Sequence, residues 1–135
     1  MGVIANINWI AIALCGVATV VLGMLWYSPA LFHKTWAADA GITPEMAKSI
    51  NMPRAVIATV LLGLLAAFTL ATLIPPGAGV LHGISYGFRA GLFMVGAFTA
   101  INYIWSLRTF RMGLIDAAYQ TVQFTIYGAL IGWLQ

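Results

Sequence analysis

The chain has 135 residues, of which 62% are hydrophobic and 7% are charged, and its mean hydropathy is +0.97. Ordinary soluble domains carry about 25% charged residues, so this composition excludes a typical water-soluble fold. The net charge of +3 comes from six basic and three acidic residues, which is too few for a nucleic-acid-binding surface.

Four apolar segments predict the fold. They cover residues 4–27, 54–74, 80–107 and 112–134, and a polar connector at 28–53 and two short loops join them. Because a membrane helix needs about 20 residues, we predict one all-α domain over residues 1–135, an integral membrane four-helix bundle. Residues 1–8 contain no Lys or Arg. We therefore expect residues 4–27 to be a retained membrane helix rather than a signal peptide.

The connector 28–53 mixes aromatic and charged residues, among them Trp36 and Lys34. This mixture predicts a segment that lies in the headgroup zone of a bilayer. Within it, Thr43 followed by a proline and an acid predicts the N-cap of a short helix that runs to Lys48.

Several short stretches carry a family resemblance. They are Leu22-Gly23-Met24-Leu25-Trp26-Tyr27-Ser28-Pro29, then Leu31-Phe32, Lys34, Trp36 and Gly41-Ile42-Thr43, and finally Leu114-Ile115-Asp116-Ala117-Ala118-Tyr119 and Gly128-Ala129-Leu130-Ile131-Gly132. Over nearly the full chain, this set resembles the bacterial domain of unknown function 1761 family. The most specific part is the interfacial signature Trp26, Tyr27, Ser28 and Pro29. The resemblance implies a small integral membrane protein with four helices and no established activity.

The predicted helix 80–107 has two distinct faces. One face carries Gly83, Gly87 and Gly91, and the opposite face carries His82, Tyr86 and Arg89. The glycine track predicts a close contact with another helix. We interpret Arg89 as reaching out to the outer interface of the membrane. The alternatives are that Arg89 belongs to an anion or substrate site, or that it is the counter-ion for a partner chain.

The predicted helix 112–134 also has two faces. At 100° per residue, Asp116, Tyr119, Gln120, Gln123 and Tyr127 form a polar stripe, and Thr121, Thr125, Gly128 and Gly132 gather opposite. Both faces prefer protein neighbours to hydrocarbon.

Asp116 lies about one turn from the predicted interface, so we interpret it as a cap and anchor bonded to helix N–H groups. Its expected neighbours are Asn102, Tyr103 and Arg108. Arg89 is roughly 15 Å deeper on the 1.5 Å rise per residue, so we expect no direct salt bridge with it. The alternative is that the stripe lines a site for protons, ions or a ligand.

The basic residues predict the orientation. Lys34, Lys48 and Arg54 lie in or beside the connector, Arg108 and Arg111 lie in the third loop, and the other connections have none. The positive-inside rule then places both loops in the cytoplasm and both termini outside. The resemblance to a bacterial family implies that the membrane is the inner membrane of a bacterium. The tight turn 75–79 predicts that helices 54–74 and 80–107 are antiparallel neighbours.

No catalytic motif is recognisable, since paired carboxylates, a phosphate-binding glycine loop and metal-ligand spacings are all missing from the sequence. We therefore expect a protein that is not an enzyme and that holds no metal or cofactor. Its expected partners are the lipid bilayer and other membrane subunits or further copies of itself. The number of small-residue ridges favours an accessory subunit or homo-oligomer. The alternatives are a small transporter or channel, or a lipid-, quinone- or pigment-binding protein that uses the stripe from Asp116 to Tyr127.

Overall fold

A computed structural model describes residues 2–135, so Met1 of the predicted domain 1–135 lies outside the described residues. Residues 2–135 form helices and no strands, which confirms the all-α prediction. In chain order the elements are α1 (Gly2–Ala5), α2 (Trp9–Trp26), α3 (His33–Ala40), α4 (Pro44–Lys48), α5 (Met52–Leu73), α6 (Val80–Arg89), a π-helical segment (Ala90–Gly96), α7 (Ala97–Trp105) and α8 (Phe110–Leu134).

Three helical stretches are long and apolar enough to cross a membrane. They are α2, α5 and the continuous stretch Val80–Trp105, which joins α6, the π-helical segment and α7. The last helix, α8, is 25 residues long but is less apolar than α2 and α5, because it carries the predicted polar stripe. That α8 also crosses the membrane stays a prediction.

The first long helix begins at Trp9 rather than at residue 4. The cause is Asn8, whose side-chain Oδ1 accepts hydrogen bonds from the N–H groups of Ile10 at 3.0 Å and Ala11 at 3.2 Å. Its Nδ2 donates to the carbonyl of Leu134 at 2.8 Å. Asn8 therefore caps α2 and ties it to the last turn of α8.

The polar connector folds into two short helices. Gly41 ends α3 with φ of +70°, a conformation that glycine adopts without strain. The predicted cap at Thr43 is confirmed, since its Oγ1 accepts a 3.2 Å hydrogen bond from the N–H of Met46. Asn51 caps α5 in the same way, through the N–H of Arg54 at 3.1 Å.

The last helix, α8, lies at the centre of the fold and contacts α2, α3, α5, α6, the π-helical segment and α7. In contrast, α5 packs on α2 and hardly touches α6. The tight turn predicts that residues 54–74 and 80–107 are antiparallel neighbours, and the contact between α5 and α6 is small. Loop length brings two helix ends together, but α6 packs along its glycine track on α8 instead.

The backbones of α6 and α8 are in direct contact where the two helices cross. A Cβ added at Gly83 would overlap the carbonyl of Gly128, and one added at Gly87 would overlap the carbonyl of Phe124. A Cβ at Gly132 would come within 3.0 Å of Gly83 Cα. The glycine tracks on α6 and α8 thus allow the two helices to approach more closely than any larger residue would permit.

Much of the surface of the long helices is apolar, and several polar side chains of α8 are buried. Large apolar residues such as Leu61, Phe98 and Trp105 are more than half exposed, whereas Asp116 and Gln123 are buried. This distribution is the reverse of the one expected in water and matches a hydrocarbon surrounding.

Candidate functional site

A buried carboxylate lies where α8 meets three other elements. Asp116 is only 6% exposed. Its Oδ1 accepts a 2.5 Å hydrogen bond from the hydroxyl of Tyr27, and its Oδ2 accepts one from the indole Nε1 of Trp36 at 3.3 Å. The hydroxyl of Tyr103 also donates to Oδ2. We call these four residues the Asp116 centre.

Local structure explains how two of the donors reach the carboxylate. Tyr27 directly follows α2, where its N–H donates to the carbonyl of Gly23 at 3.1 Å and ends the helix. Its ring lies 5.2 Å from that of Trp36, edge to face. Trp36 is carried by α3, which folds back against α8. The turn after α2 therefore brings both aromatic side chains to one carboxylate.

The four residues of the interfacial signature have two roles: the two aromatic residues contact α8, and the other two form the turn into α3. The indole Nε1 of Trp26 donates to the carbonyl of Ile115 at 3.2 Å, next to Asp116. Ser28 donates its hydroxyl to the carbonyl of Leu25 at 2.7 Å, and Pro29 is exposed. The aromatic half of the signature thus packs on α8, and the other half turns the chain into α3.

The structure corrects the expected surroundings of Asp116. Of its three expected neighbours, Tyr103 is a partner, whereas Asn102 and Arg108 are exposed. The N-cap of α8 is Thr109, whose Oγ1 accepts a 3.1 Å hydrogen bond from Met112 N–H. The interpretation of Asp116 as a hydrated cap bonded to helix N–H groups is therefore wrong. The helix begins two residues earlier than predicted, so Asp116 lies nearly two turns inside it.

A second polar cluster joins α8 to α2 deeper in the fold. The Nε2 of Gln123 donates to Thr19 Oγ1 at 3.1 Å and to the hydroxyl of Tyr127 at 2.7 Å. Thr19 and Tyr127 also share a hydrogen bond. All three side chains are buried, so this part of the predicted stripe satisfies its polar groups within the chain.

The remaining two stripe residues point to different neighbours. The Oε1 of Gln120 accepts a 2.8 Å hydrogen bond from Thr99 on α7. Among the described residues, the hydroxyl of Tyr119 has only the carbonyl of Thr19 within reach, at 3.5 Å. This is the limit of hydrogen bonding, so Tyr119 has the weakest partner in the stripe.

Tyr119 lies at an open groove between α2 and α5, which we call the α2–α5 groove. Its volume is about 480 Å³. Polar groups of Thr19, Tyr27 and Tyr119 share its lining with the apolar side chains of Met24, Met52 and Val56. The groove thus begins beside the Asp116 centre, because Tyr27 belongs to both.

The predicted outer polar face is not part of this site. His82 and Arg89 are exposed, and the guanidinium carbon of Arg89 lies 5.1 Å above the ring of Tyr86. Arg89 Nε donates to the carbonyl of Ser85 in the same helix at 3.2 Å. Arg89 and Asp116 form no ion pair in the described part of the chain.

One ion pair beside the centre was not predicted. Arg111 donates to Asp39 through Nη2 at 2.6 Å and Nε at 2.9 Å, and Thr109 donates to the same carboxylate at 2.8 Å. The guanidinium and then the hydroxyl lower the pKa of Asp39 to about 2. Because Asp39 lies on α3 three residues after Trp36, the pair holds α3 where Trp36 reaches Asp116. The two charges are far apart in sequence, so no local pattern could have paired them.

In the Asp116 centre, one carboxylate acceptor is surrounded by neutral hydrogen-bond donors. One carboxylate receives three hydrogen bonds from α3, α7 and the end of α2, which fixes the positions of these elements around α8. No group of three or more His, Cys, Asp or Glu side chains converges within residues 2–135.

The fold and this centre define a small all-α protein with membrane-length apolar helices gathered around a buried carboxylate. A family model described as a protein of unknown function, DUF1761, matches residues 10–132, which includes every residue of the Asp116 centre. The chain belongs to this family. No curated protein and no solved structure matches the chain.

Proposed function

We propose that this chain is a four-helix integral membrane protein of the bacterial inner membrane, with both termini outside, which is not an enzyme. Its role is to bind an apolar membrane-spanning helix of another polypeptide, either a partner subunit or a second copy. The observation that carries this proposal is an apolar groove left open between α5 and the π-helical segment. We call it the α5–π groove.

The small-residue ridges that suggested association in the sequence are used inside the chain. On α2, Ala11, Cys15 and Thr19 are buried, and on α5 so are Gly63, Ala67 and Ala71. The glycine track of α6 packs on α8. A single chain therefore needs all of these ridges, and the support for association comes from the α5–π groove instead.

The α5–π groove has the chemistry of a helix-binding surface. Its volume is about 360 Å³, and its lining includes Leu62, Leu65 and Leu73 of α5, Met94 and Val95 of the π-helical segment, and Phe124 of α8. Leu65 and Met94 are 62% and 60% exposed. Because α5 makes hardly any contact with the π-helical segment, the two walls stay apart. Such a groove accepts the apolar face of a helix.

Photo-cross-linking in intact membranes tests this proposal. A photoreactive phenylalanine analogue is placed at Leu65, in the groove, and separately at Ile57. Ile57 is the matched control, because it lies on the same helix, is 61% exposed and does not line the groove. We expect a cross-linked polypeptide of defined mass from position 65 and none from position 57. Equal protein adducts at both positions, or only lipid adducts at position 65, would contradict the proposal.

A second candidate function is the binding of a lipophilic molecule that has a hydrogen-bonding group. The observation that favours it is the hydroxyl of Tyr119, which has a weak partner at 3.5 Å and lines the α2–α5 groove. A ligand acceptor there would complete its hydrogen bonding. Mass spectrometry of small molecules that co-purify with the protein and with Tyr119→Phe tests this candidate. A compound retained at one equivalent by the wild type and lost from the variant would support it, whereas equal retention would exclude Tyr119 from the site.

A further inference from the structure

A basic cleft separates the two short helices of the connector. This α3–α4 cleft has a volume of about 580 Å³. Its lining includes His33 and Lys34 from the first turn of α3 and Lys48 from the last turn of α4, and no acidic side chain lines it. Of the two acids nearby in sequence, Asp39 is bound to Arg111, and Glu45 does not line the cleft.

The fold holds the two walls of the cleft in place. On α3, Trp36 and Asp39 are bonded to α8. At 100° per residue, Lys34 lies on the opposite side of α3 from these anchors. The turn into α4 is closed by the N–H of Ile42, which donates to the carbonyl of Ala37 at 2.9 Å. The cationic face of α3 is therefore turned away from the bundle and towards α4.

We propose that the α3–α4 cleft binds the phosphate of an anionic phospholipid. The ammonium groups of Lys34 and Lys48 donate to the phosphate oxygens, with the imidazole of His33 beside them. Apolar lining from Ala37, Ala38 and Ile42 receives the glycerol and the first methylenes of the acyl chains.

The charge distribution of the chain supports a lipid as the source of the phosphate. Lys34 and Lys48 of the connector, Arg54 in the first turn of α5, Arg108 before α8 and Arg111 in its first turn are all basic. The Asp39–Arg111 pair brings these two parts of the chain to one end of the fold. Basic residues next to membrane helices are attracted to anionic leaflets. The inference rests on the membrane placement proposed above, but not on the binding of a partner helix.

Native mass spectrometry of the protein in nanodiscs tests the site. The nanodiscs contain equal amounts of phosphatidylglycerol and phosphatidylcholine, and the measured quantity is the ratio of the two lipids that stay bound after release. We expect the wild type to retain phosphatidylglycerol selectively. The double variant Lys34→Gln and Lys48→Gln should lower this ratio roughly tenfold. Arg108→Gln is the matched control, because it removes a charge from the same end of the fold outside the cleft, and it should leave the ratio nearly unchanged.

The possible failures are distinguishable. Equal retention of both lipids by the wild type, or an equal loss of selectivity in Arg108→Gln, would overturn the lipid site alone. Displacement of phosphatidylglycerol by millimolar inorganic phosphate would also overturn it, in favour of a free-phosphate site. Failure of the wild type to enter nanodiscs would overturn the membrane placement and the lipid site with it. A retained partner polypeptide bears only on the proposed function.

Discussion

The hydroxyl of Tyr27 donates a 2.5 Å hydrogen bond to Oδ1 of Asp116, across 89 residues of sequence. This contact joins the most specific motif of the family resemblance to the polar face of the central helix. With Trp36 and Tyr103 it makes one carboxylate the meeting point of α3, α7 and the end of α2. Through these hydrogen bonds, one buried side chain of α8 contacts three other parts of the fold.

Substitution of Asp116 separates hydrogen bonding from charge. In Asp116→Leu, three donors lose their acceptor, and each buried unsatisfied group costs about 1–3 kcal/mol. In Asp116→Asn, the amide oxygen can accept from Trp36 and Tyr103, and the amide nitrogen can donate to the oxygen of Tyr27. We expect a loss of about 1 kcal/mol in the Asn variant, because neutral hydrogen bonds are weaker than those to a charged acceptor. Thermal unfolding in detergent measures the difference. If Asn is as damaging as Leu, the negative charge itself is required, and a proton, ion or ion-pair role replaces the structural one.

The Asp39–Arg111 pair predicts a dependence of stability on acid pH. Because the pKa of Asp39 falls to about 2 in the folded protein from about 4 in unfolded chains, ionised Asp39 stabilises the fold at pH above 4. That contribution is lost as the pH falls from about 4 to about 2. We expect the thermal stability of Asp39→Asn to lie below that of the wild type at pH 7 and to meet it near pH 2. A constant gap between wild type and Asp39→Asn at all pH values would contradict this prediction.

Added bulk at Gly87 should separate α6 from α8. A Cβ there would lie 2.8 Å from the carbonyl carbon of Phe124, and backbone cannot move aside as a flexible side chain can. We expect Gly87→Leu to lower the free energy of unfolding by about 1–3 kcal/mol. Thermal unfolding and the elution profile in detergent measure this effect. Leu92→Ile, on an exposed part of the same stretch, should have little effect. Equal stability of the two variants would mean that Gly87 does not carry the α6–α8 contact.

Reporter fusions test the proposed orientation. The five basic residues of the connector and third loop, against none in the other connections, predict that Gln135 lies outside and that the connector is cytoplasmic. A fusion after Gln135 should be active with a periplasmic reporter and inactive with a cytoplasmic one, and an insertion at Ser49 should give the opposite result. A cytoplasmic signal at Gln135 would refute the orientation and the outer placement of Arg89.

Parts of this fold follow directly from the sequence. Thr43 caps α4 as predicted, and Gly41 ends α3, because these effects depend only on local residues. The expectation that Asp116 meets Tyr103 was also correct, since the helices that carry them are consecutive and antiparallel.

Other parts could not be predicted because they depend on distant residues. Trp36 and Asp116 are 80 residues apart, and only the fold brings them together. The π-helical segment Ala90–Gly96 has the same apolar pattern as an ordinary helix, although it changes the register between α6 and α7. The small extent of the contact between α5 and α6 could not be predicted for a similar reason, since loop length constrains helix ends but not helix faces.

We propose that this chain works by binding another polypeptide inside the membrane. The most direct test is native mass spectrometry of particles released from bacterial membranes by an amphipathic copolymer, without detergent. We expect a complex in which the 14.5 kDa chain stays bound to at least one further polypeptide, a second copy or a different subunit, in a fixed ratio. Particles that contain a single copy of the chain and lipid alone would contradict it.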